Sequence, residues 1–237
     1  MIVPIIGKFS SGKSTLLNRY LGENYLKTDI APETAIATEL CYAEEEHLFI
    51  HYLDGSTPTQ QDLNSLDSLV IDERMAFIQI FLNNATLKKH ENIILVDMPG
   101  FDARNQAHHK AIACYLERGD YFISLMPIDI PFDIPFDHSI IERLAEIYFD
   151  YGKQVSCLLS KAARKPVAQR EENNQIKRAQ FVSMTLSTPV LIQPEVTFVA
   201  CVGGTASMNK SGSSHAREAF SASYSRINSA CFSALNL

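Results

Sequence analysis

The chain has 237 residues, a length that fits one α/β domain with its own core. Hydrophobic residues make up 46% and charged residues 20%, which is ordinary for a soluble globular protein. Its net charge of −6 argues against a general electrostatic attraction to nucleic acid or anionic lipid. The sequence contains neither a run of ~18 apolar residues, as a membrane span requires, nor the basic segment of a signal peptide. Its five cysteines are scattered and form no CxxC pair, so we expect reduced thiols in a cytoplasmic protein.

The first part of the chain predicts a strand, a loop and a helix. "IVPII" at 2–6 is a short β-branched run typical of a buried strand, and "KSTLLNRYL" at 13–21 has the spacing of a helix. "AIATELCYA" at 35–43 and "HLFIHYL" at 47–53 predict two more strands. The short acidic turn between them predicts that they pair as an antiparallel hairpin.

Residues 56–90 are predicted to be mostly helical, because Met75, Ile78, Phe81 and Leu82 recur at helical spacing between 71 and 87. Strands and helices then alternate. The predicted strands are 92–100, 121–127, 154–160 and 195–202, and the predicted helices are 106–119, 137–152 and 170–186. This alternation predicts a three-layer α/β fold with a mostly parallel sheet, helices on both faces and an antiparallel edge hairpin.

The division expected is one domain over 1–204, followed by a serine-rich linker and a C-terminal helix over 205–237. The helix is predicted from apolar residues that recur every three or four positions, namely Phe220, Tyr224, Ile227, Cys231 and Leu235. A disordered tail is the alternative.

The stretch "GKFSSGKS" fits the phosphate-loop pattern G-x-x-x-x-G-K-[ST], with a strand before it and a helix after it. Gly7 and Gly12 allow the tight turn that points successive N–H groups at one anion. Lys13 can reach the β- and γ-phosphates, and the Ser14 hydroxyl suits a Mg²⁺ ligand. The pattern therefore predicts that the α/β fold is of the P-loop NTPase kind and that it binds a nucleoside triphosphate with Mg²⁺.

Two further segments fit the same chemistry. "ILVDMPG" ends an apolar strand, so Asp97 can hold Mg²⁺ through water and the Gly100 N–H can meet the γ-phosphate. In "APETAIATEL", Thr34 is the preferred candidate for another Mg²⁺ ligand and Thr38 is the second. The alternative is that these threonines simply suit a strand edge.

These motifs resemble those of the dynamin superfamily, particularly its bacterial dynamin-like members. "GKFSSGKSTLLNRYLG" has their serine-rich loop, "PETAIATEL" is similar to their first switch, and "LVDMPGFD" is similar to their second. "LLSKAARKP" at 158–166 resembles their base-recognition segment. The similarity covers about residues 2–203, which implies the GTPase domain alone.

The resemblance implies a set of nucleotide contacts, a Mg²⁺ cofactor and a catalytic group. The expected nucleotide-binding residues are Gly7, Phe9, Ser10, Ser11, Gly12, Lys13, Ser14, Thr15, Asp97, Gly100, Ser160 and Lys161. The expected metal ligands are Ser14, Thr34 and Asp97, and the expected catalytic residues are Lys13, Ser14, Thr34 and Lys8.

Three positions differ from the family pattern. Phe9 lies where eukaryotic dynamins carry a water-orienting glutamine, and Lys8 lies where an aspartate often helps to hold a charge-compensating cation. We hypothesise that the Lys8 ammonium replaces that cation; a solvated lysine at the loop rim is the alternative. Ala163 replaces the aspartate that accepts hydrogen bonds from guanine.

The resemblance implies a GTP-hydrolysing head that binds GTP and GDP, pairs as a homodimer through its nucleotide face and contributes to membrane remodelling. Contact with a membrane would be indirect, through missing regions or a partner chain, and no nucleic acid is expected. A non-hydrolysing, nucleotide-dependent binding module and a P-loop ATPase with relaxed base choice are the alternatives. The family's stalk does not fit in the residues after 203, which leaves an isolated head, a fragment and a truncated gene product open.

Overall fold

We describe the protein from a computed structural model, which defines residues 1–28, 36–100, 106–127, 147, 150–160 and 199–200. The strands are β1 (Ile2–Ile6), β2 (Ala37–Tyr42), β3 (His47–Tyr52), β4 (Thr59–Asp62), β5 (Met75–Leu82), β6 (Ile94–Asp97), β7 (Tyr121–Pro127), β8 (Gln154–Ser160) and β9 (Val199–Ala200). The helices are α1 (Lys13–Leu21), α2 (Ala85–Lys88) and α3 (Gln106–Arg118), with a 3₁₀ turn at Leu63–Asp67.

Within the described residues the strands form one sheet in the order β4-β3-β5-β2-β6-β1-β7-β8-β9. β1 lies between β6 and β7 and is parallel to both, and β8 and β9 continue the parallel half. β2 runs antiparallel to β6, and β3 and β4 form an antiparallel pair at the edge. The predicted α/β class, with a mostly parallel sheet and an antiparallel pair of strands at one edge, is confirmed.

The two faces of the sheet carry separate hydrophobic cores. On one face, Leu17 and Leu21 of α1 pack with Val3 and Ile5 of β1. On the other face, side chains of α3 pack against β1 and β6, among them Ile112, Tyr115, Leu116, Ile6 and Val96. Because alternate residues of β1 enter opposite cores, this strand is buried on both faces, as its unbroken apolar sequence predicts.

The predicted hairpin between 35–43 and 47–53 is wrong in its pairing. Both strands form, but β5 lies between them, parallel to β2 and antiparallel to β3. Skipping one strand requires a span of about 10 Å, which the four residues 43–46 can cover. The connection closes over the end of β5, where Glu46 Oε1 accepts a hydrogen bond of 3.1 Å from the Asn83 N–H. The edge hairpin is instead formed by β3 and β4.

The mostly helical structure predicted over 56–90, with its helix over 71–87, is also wrong, because Thr59–Asp62 form β4 and Met75–Leu82 form β5. Within 71–87 the α-helical residues are those at the start of α2, from Ala85 onwards. The sequence "MAFIQIFL" has apolar residues that satisfy a period of two as well as a helical period. In the sheet, Ile78, Ile80 and Leu82 are buried on one face. Hydrogen bonding to β2 and β3 on its two edges favours the strand, and local spacing could not reveal those partners.

Several predicted elements lie outside the described residues, in whole or in large part. These are the helices at 137–152 and 170–186 and the segment 205–237, while the strand predicted at 195–202 is described only as β9. The part of the chain that is described includes no helix long and apolar enough to cross a membrane.

Substitutions in β5 distinguish the strand from the helical interpretation. Ile80 is fully buried, whereas Met75 is only half-buried. We expect Ile80→Ala to lower the free energy of unfolding by about 2–5 kcal/mol and Met75→Ala to cost less than half as much. Denaturant titration measures both values. A larger loss for Met75→Ala would contradict the strand register.

Candidate functional site

The loop between β1 and α1 has the backbone conformation of an anion cradle. Gly7, Ser10 and Gly12 have positive φ angles of 154°, 56° and 96°. The Ser11 N–H donates to the Lys8 carbonyl at 3.2 Å and closes a turn inside the loop. Gly12 provides the left-handed conformation that other residues adopt only with strain, so the sequence can turn directly into α1. The strained loop geometry is typical of a functional site.

The first turn of α1 has no side-chain cap. Gly12 occupies the N-cap position without a capping hydrogen bond, and the first helical bond runs from the Leu16 N–H to the Gly12 carbonyl at 2.8 Å. The amide groups at this helix end carry the positive end of the helix dipole. The end of α1 is therefore suited to bind a phosphate.

The positive charge of Lys13 also lies at the phosphate loop. It is buried, and its Nζ donates to the carbonyls of Gly7 at 3.2 Å and Lys8 at 2.8 Å. A buried ammonium requires such acceptors. Because these carbonyls belong to the loop itself, the ammonium lies beside the cradle that would receive an anion.

Ser14 and Asp97 are in direct contact. The Ser14 hydroxyl donates to Asp97 Oδ2 at 2.5 Å, although the two residues are far apart in sequence. Asp97 Oδ1 has no exposed surface, and within the described structure no hydrogen-bond partner reaches it. Burial raises the pKa of Asp97, and the Ser14 hydrogen bond and the Lys13 charge only partly oppose this effect. The charge of the Asp97 carboxylate is therefore only partly compensated.

This pair fits Mg²⁺. A small divalent cation prefers oxygen ligands, and here a hydroxyl and a carboxylate lie together at the phosphate loop. The buried Oδ1 of Asp97 is a further reason to expect a cation here, since a cation nearby would compensate the negative charge of the carboxylate. Ser14 and Asp97 are the residues that would hold the ion. Thr34, the third predicted ligand, lies outside the described residues.

Strand pairing explains where Asp97 lies. It is the register partner of Ile5 in the parallel strand β1 and of Thr38 in the antiparallel strand β2. Thr38 is buried beside Asp97 and donates to the Ile36 carbonyl at 3.4 Å. The structure thus places the second predicted threonine next to Asp97, but its hydroxyl is engaged by its own backbone.

The second predicted switch leaves the sheet directly after Asp97. Met98 and Gly100 are buried, and the Met98 N–H donates to the Ile5 carbonyl at 3.3 Å. Gly100 is the last described residue before α3, and "FDARN" at 101–105 lies outside the description. The described part of the second switch, up to Gly100, therefore starts at the edge of the sheet where β1 ends and the phosphate loop begins.

The remaining predicted residues divide between the loop rim and the end of β8. Phe9 is 41% exposed, Ser10 and Thr15 are exposed, Lys8 is half-buried and Ser11 is fully buried. Ser160 ends β8 opposite Pro127 of β7, and its buried Oγ has no hydrogen-bond partner in the described structure. Lys161 and Ala163 lie outside the described residues.

Sequence reasoning missed one contributor to the loop. A Cβ atom built on Gly7 would lie 2.5 Å from the backbone carbonyl oxygen of Leu125 in β7. The neighbouring strand therefore forms a wall of the cradle with its main chain. No side-chain pattern could have indicated this contact.

The chain is similar to known proteins in both sequence and fold. A family model described as "Dynamin family" matches residues 3–162. A bacterial dynamin-like protein of Nostoc punctiforme is 43% identical over 61 residues, which are 26% of this chain and 9% of that protein. Dynamin-like protein 2 of Campylobacter jejuni is 37% identical over 111 residues, which are 43% of this chain and 17% of that protein. The chain thus matches only a small part of the length of these relatives.

The fold is shared with a solved structure of an oligomerised bacterial dynamin pair, described as a mechanism for the long-range sensing and tethering of membranes. The TM-score is 0.66 at 20% identity, and the match covers 92% of this chain and 37% of that chain. The family match runs from β1 to the end of β8, so it includes the phosphate loop, Asp97 and Ser160. The chain therefore belongs to the dynamin family and carries its GTPase domain.

Proposed function

We propose that this domain binds GTP with Mg²⁺ and hydrolyses it to GDP and phosphate, as the head of a dynamin-like protein. The observation that carries the proposal is the contact between Ser14 and Asp97 at the end of the phosphate loop, with one Asp97 oxygen buried and without a partner in the described structure. This arrangement supports binding of a divalent cation next to the phosphates.

The loop would act mainly by positioning and by electrostatic stabilisation. Its amide groups, the N-terminus of α1 and Lys13 would surround the phosphates while water attacks the γ-phosphorus in line. The Lys13 ammonium would exchange the Gly7 and Lys8 carbonyls for phosphate oxygens. Mg²⁺, when bound, would neutralise charge on the β- and γ-phosphates.

Phe9 limits how the attacking water can be oriented. Its side chain has no hydrogen-bonding group, so only its backbone can contribute at this position. Lys8 is the neighbouring residue in the loop. We propose that its ammonium compensates the negative charge near the oxygen that bridges the β- and γ-phosphates. Head-to-head pairing is part of the proposal, because the exposed Phe9 lies on the nucleotide face and would be buried in such a pair.

Contact with a membrane, on this proposal, is indirect and uses other regions or a partner chain. We propose a cytoplasmic location, which the free thiols of Cys41 and Cys114 support.

Removing the Lys13 ammonium should greatly slow turnover. We expect Lys13→Ala to lower the rate of phosphate release from GTP by about 100-fold or more, since charge-assisted contacts to phosphate are lost. Lys89→Ala, at the exposed end of α2, should keep the wild-type rate. A phosphate-release assay with Mg²⁺ measures the rates of both variants. The same assay with a chelator measures how far turnover depends on the metal. If the wild-type chain binds nucleotide but releases no phosphate, hydrolysis is contradicted and the chain is a nucleotide-binding module.

The packing of Gly7 predicts that even one methyl group disrupts the cradle. Gly7→Ala would place Cβ 2.5 Å from the Leu125 carbonyl oxygen, so β7 or the loop must move. We expect the thermal stabilisation by Mg²⁺ and nucleotide to disappear. Gly55→Ala is the control, because φ there is also positive, at 73°, yet no atom lies within 4 Å of the added Cβ. Equal nucleotide responses in the two variants would contradict the role given to Gly7.

Base choice should depend on position 163. Restoring the family aspartate with Ala163→Asp should raise the preference for GTP over ATP and ITP by about 10–100-fold, because a carboxylate accepts two hydrogen bonds from guanine. Ala162→Asp adds the same charge one residue away and should leave the preference unchanged. Competition titrations measure the three affinities. Equal wild-type affinity for GTP, ATP and ITP would remove the claim of guanine specificity.

A further inference from the structure

A buried carboxylate lies on the sheet face opposite α1. Glu39, in the middle of β2, is 1% exposed. Its Oε1 accepts hydrogen bonds from the Tyr115 hydroxyl at 2.7 Å and from Arg118 Nη2 at 2.9 Å. Its Oε2 accepts from Gln79 Nε2 at 3.0 Å. Three donors from two other elements thus converge on one side chain.

The Arg118 side chain is held in place by aromatic rings as well as by charge. Its guanidinium lies over the Phe77 ring at 5.0 Å and over the Tyr115 ring at 5.1 Å. Burial, followed by the charge and hydrogen bond of Glu39, raises the pKa of Tyr115, so its hydroxyl stays a donor at neutral pH. The network therefore has one arrangement in which every bond is made.

Stability alone does not explain such a network. A buried ion pair loses much of its Coulombic attraction to desolvation, and apolar residues of the same volume are often equally stabilising. Directional bonds differ from apolar contacts in that they allow only one relative placement of the elements they join. The elements joined here are β2 and β5 on one side and α3 on the other.

The position of Glu39 connects this network to the nucleotide site. Its neighbour Thr38 is the register partner of Asp97, and Glu39 itself pairs with Val96. β2 begins inside the segment predicted as the first switch, so Glu39 itself belongs to that segment, and α3 follows the segment predicted as the second. The network therefore joins β2, which overlaps the first predicted switch, to α3, which follows the second, and it does so one residue away from the pair formed by Thr38 and Asp97.

We propose that Glu39 is a positioning residue which, through Tyr115 and Arg118, fixes β2 against α3 and so keeps Thr38 and Asp97 in the arrangement that recognises the γ-phosphate. The inference rests on the proposed function, because only a site that distinguishes GTP from GDP needs this arrangement. Loss of the network should weaken binding of a triphosphate more than binding of a diphosphate.

The test compares two buried tyrosine hydroxyls. Tyr115→Phe removes a donor to Glu39, and the matched control Tyr121→Phe removes the hydroxyl that bonds to Ser156 Oγ on the other face. Both keep the aromatic ring in the core. Glu39→Gln, which keeps the shape but not the charge, is the second test variant, and Tyr115→Phe remains informative if Glu39→Gln does not fold.

The readout is the ratio of dissociation constants for GDP and for a non-hydrolysable GTP analogue, each with Mg²⁺. We expect the preference for the analogue to fall by about fivefold or more in Tyr115→Phe and Glu39→Gln, and to remain at the wild-type value in Tyr121→Phe. A merely structural role would lower the melting temperature and leave the ratio unchanged, which would overturn the inference alone. A wild-type chain that binds neither nucleotide would overturn the proposed function and the inference with it.

Discussion

The parallel pairing of β1 with β6 is the contact on which the site depends. It sets Ile5 beside Asp97, so the loop that follows β1 and the carboxylate that ends β6 emerge at the same edge of the sheet. Parallel strands place their carboxyl ends together, which is why ligand sites collect there. β7 closes the other side of β1 with the Leu125 carbonyl, so the loop has space for a glycine and no more.

Two carboxylates near this edge are treated differently by the structure. Both oxygens of Glu39 accept hydrogen bonds, and its charge is paired with Arg118. Asp97 has one oxygen bonded to Ser14 and the other buried with no partner among the described residues. A carboxylate whose two oxygens both accept hydrogen bonds resists rearrangement, whereas one with an oxygen that accepts none can bind a cation. Glu39 is therefore suited to hold elements of the fold together, and Asp97 is suited to bind a ligand.

The errors in the predicted fold have a common physical cause. Residues 35–53 contain two good strands and a short turn, and nothing in that window indicates that β5 will lie between them. The stretch 71–87 fits a helix and a strand equally well until the neighbours on both edges are known. Local spacing records which residues are apolar, but pairing across the sheet depends on segments that are distant in sequence.

The sequence by itself determined the phosphate loop, because its chemistry is local: two glycines, a lysine and a serine at set spacing between a strand and a helix. It also indicated Asp97, since an apolar strand that ends in Asp-x-x-Gly carries its own pattern. Only the tertiary structure decided that Ser14 and Asp97 touch, that Leu125 walls the loop, and that Glu39 meets Tyr115 and Arg118. These contacts join residues from separate elements, and strand order and helix packing, which no single segment encodes, bring them together.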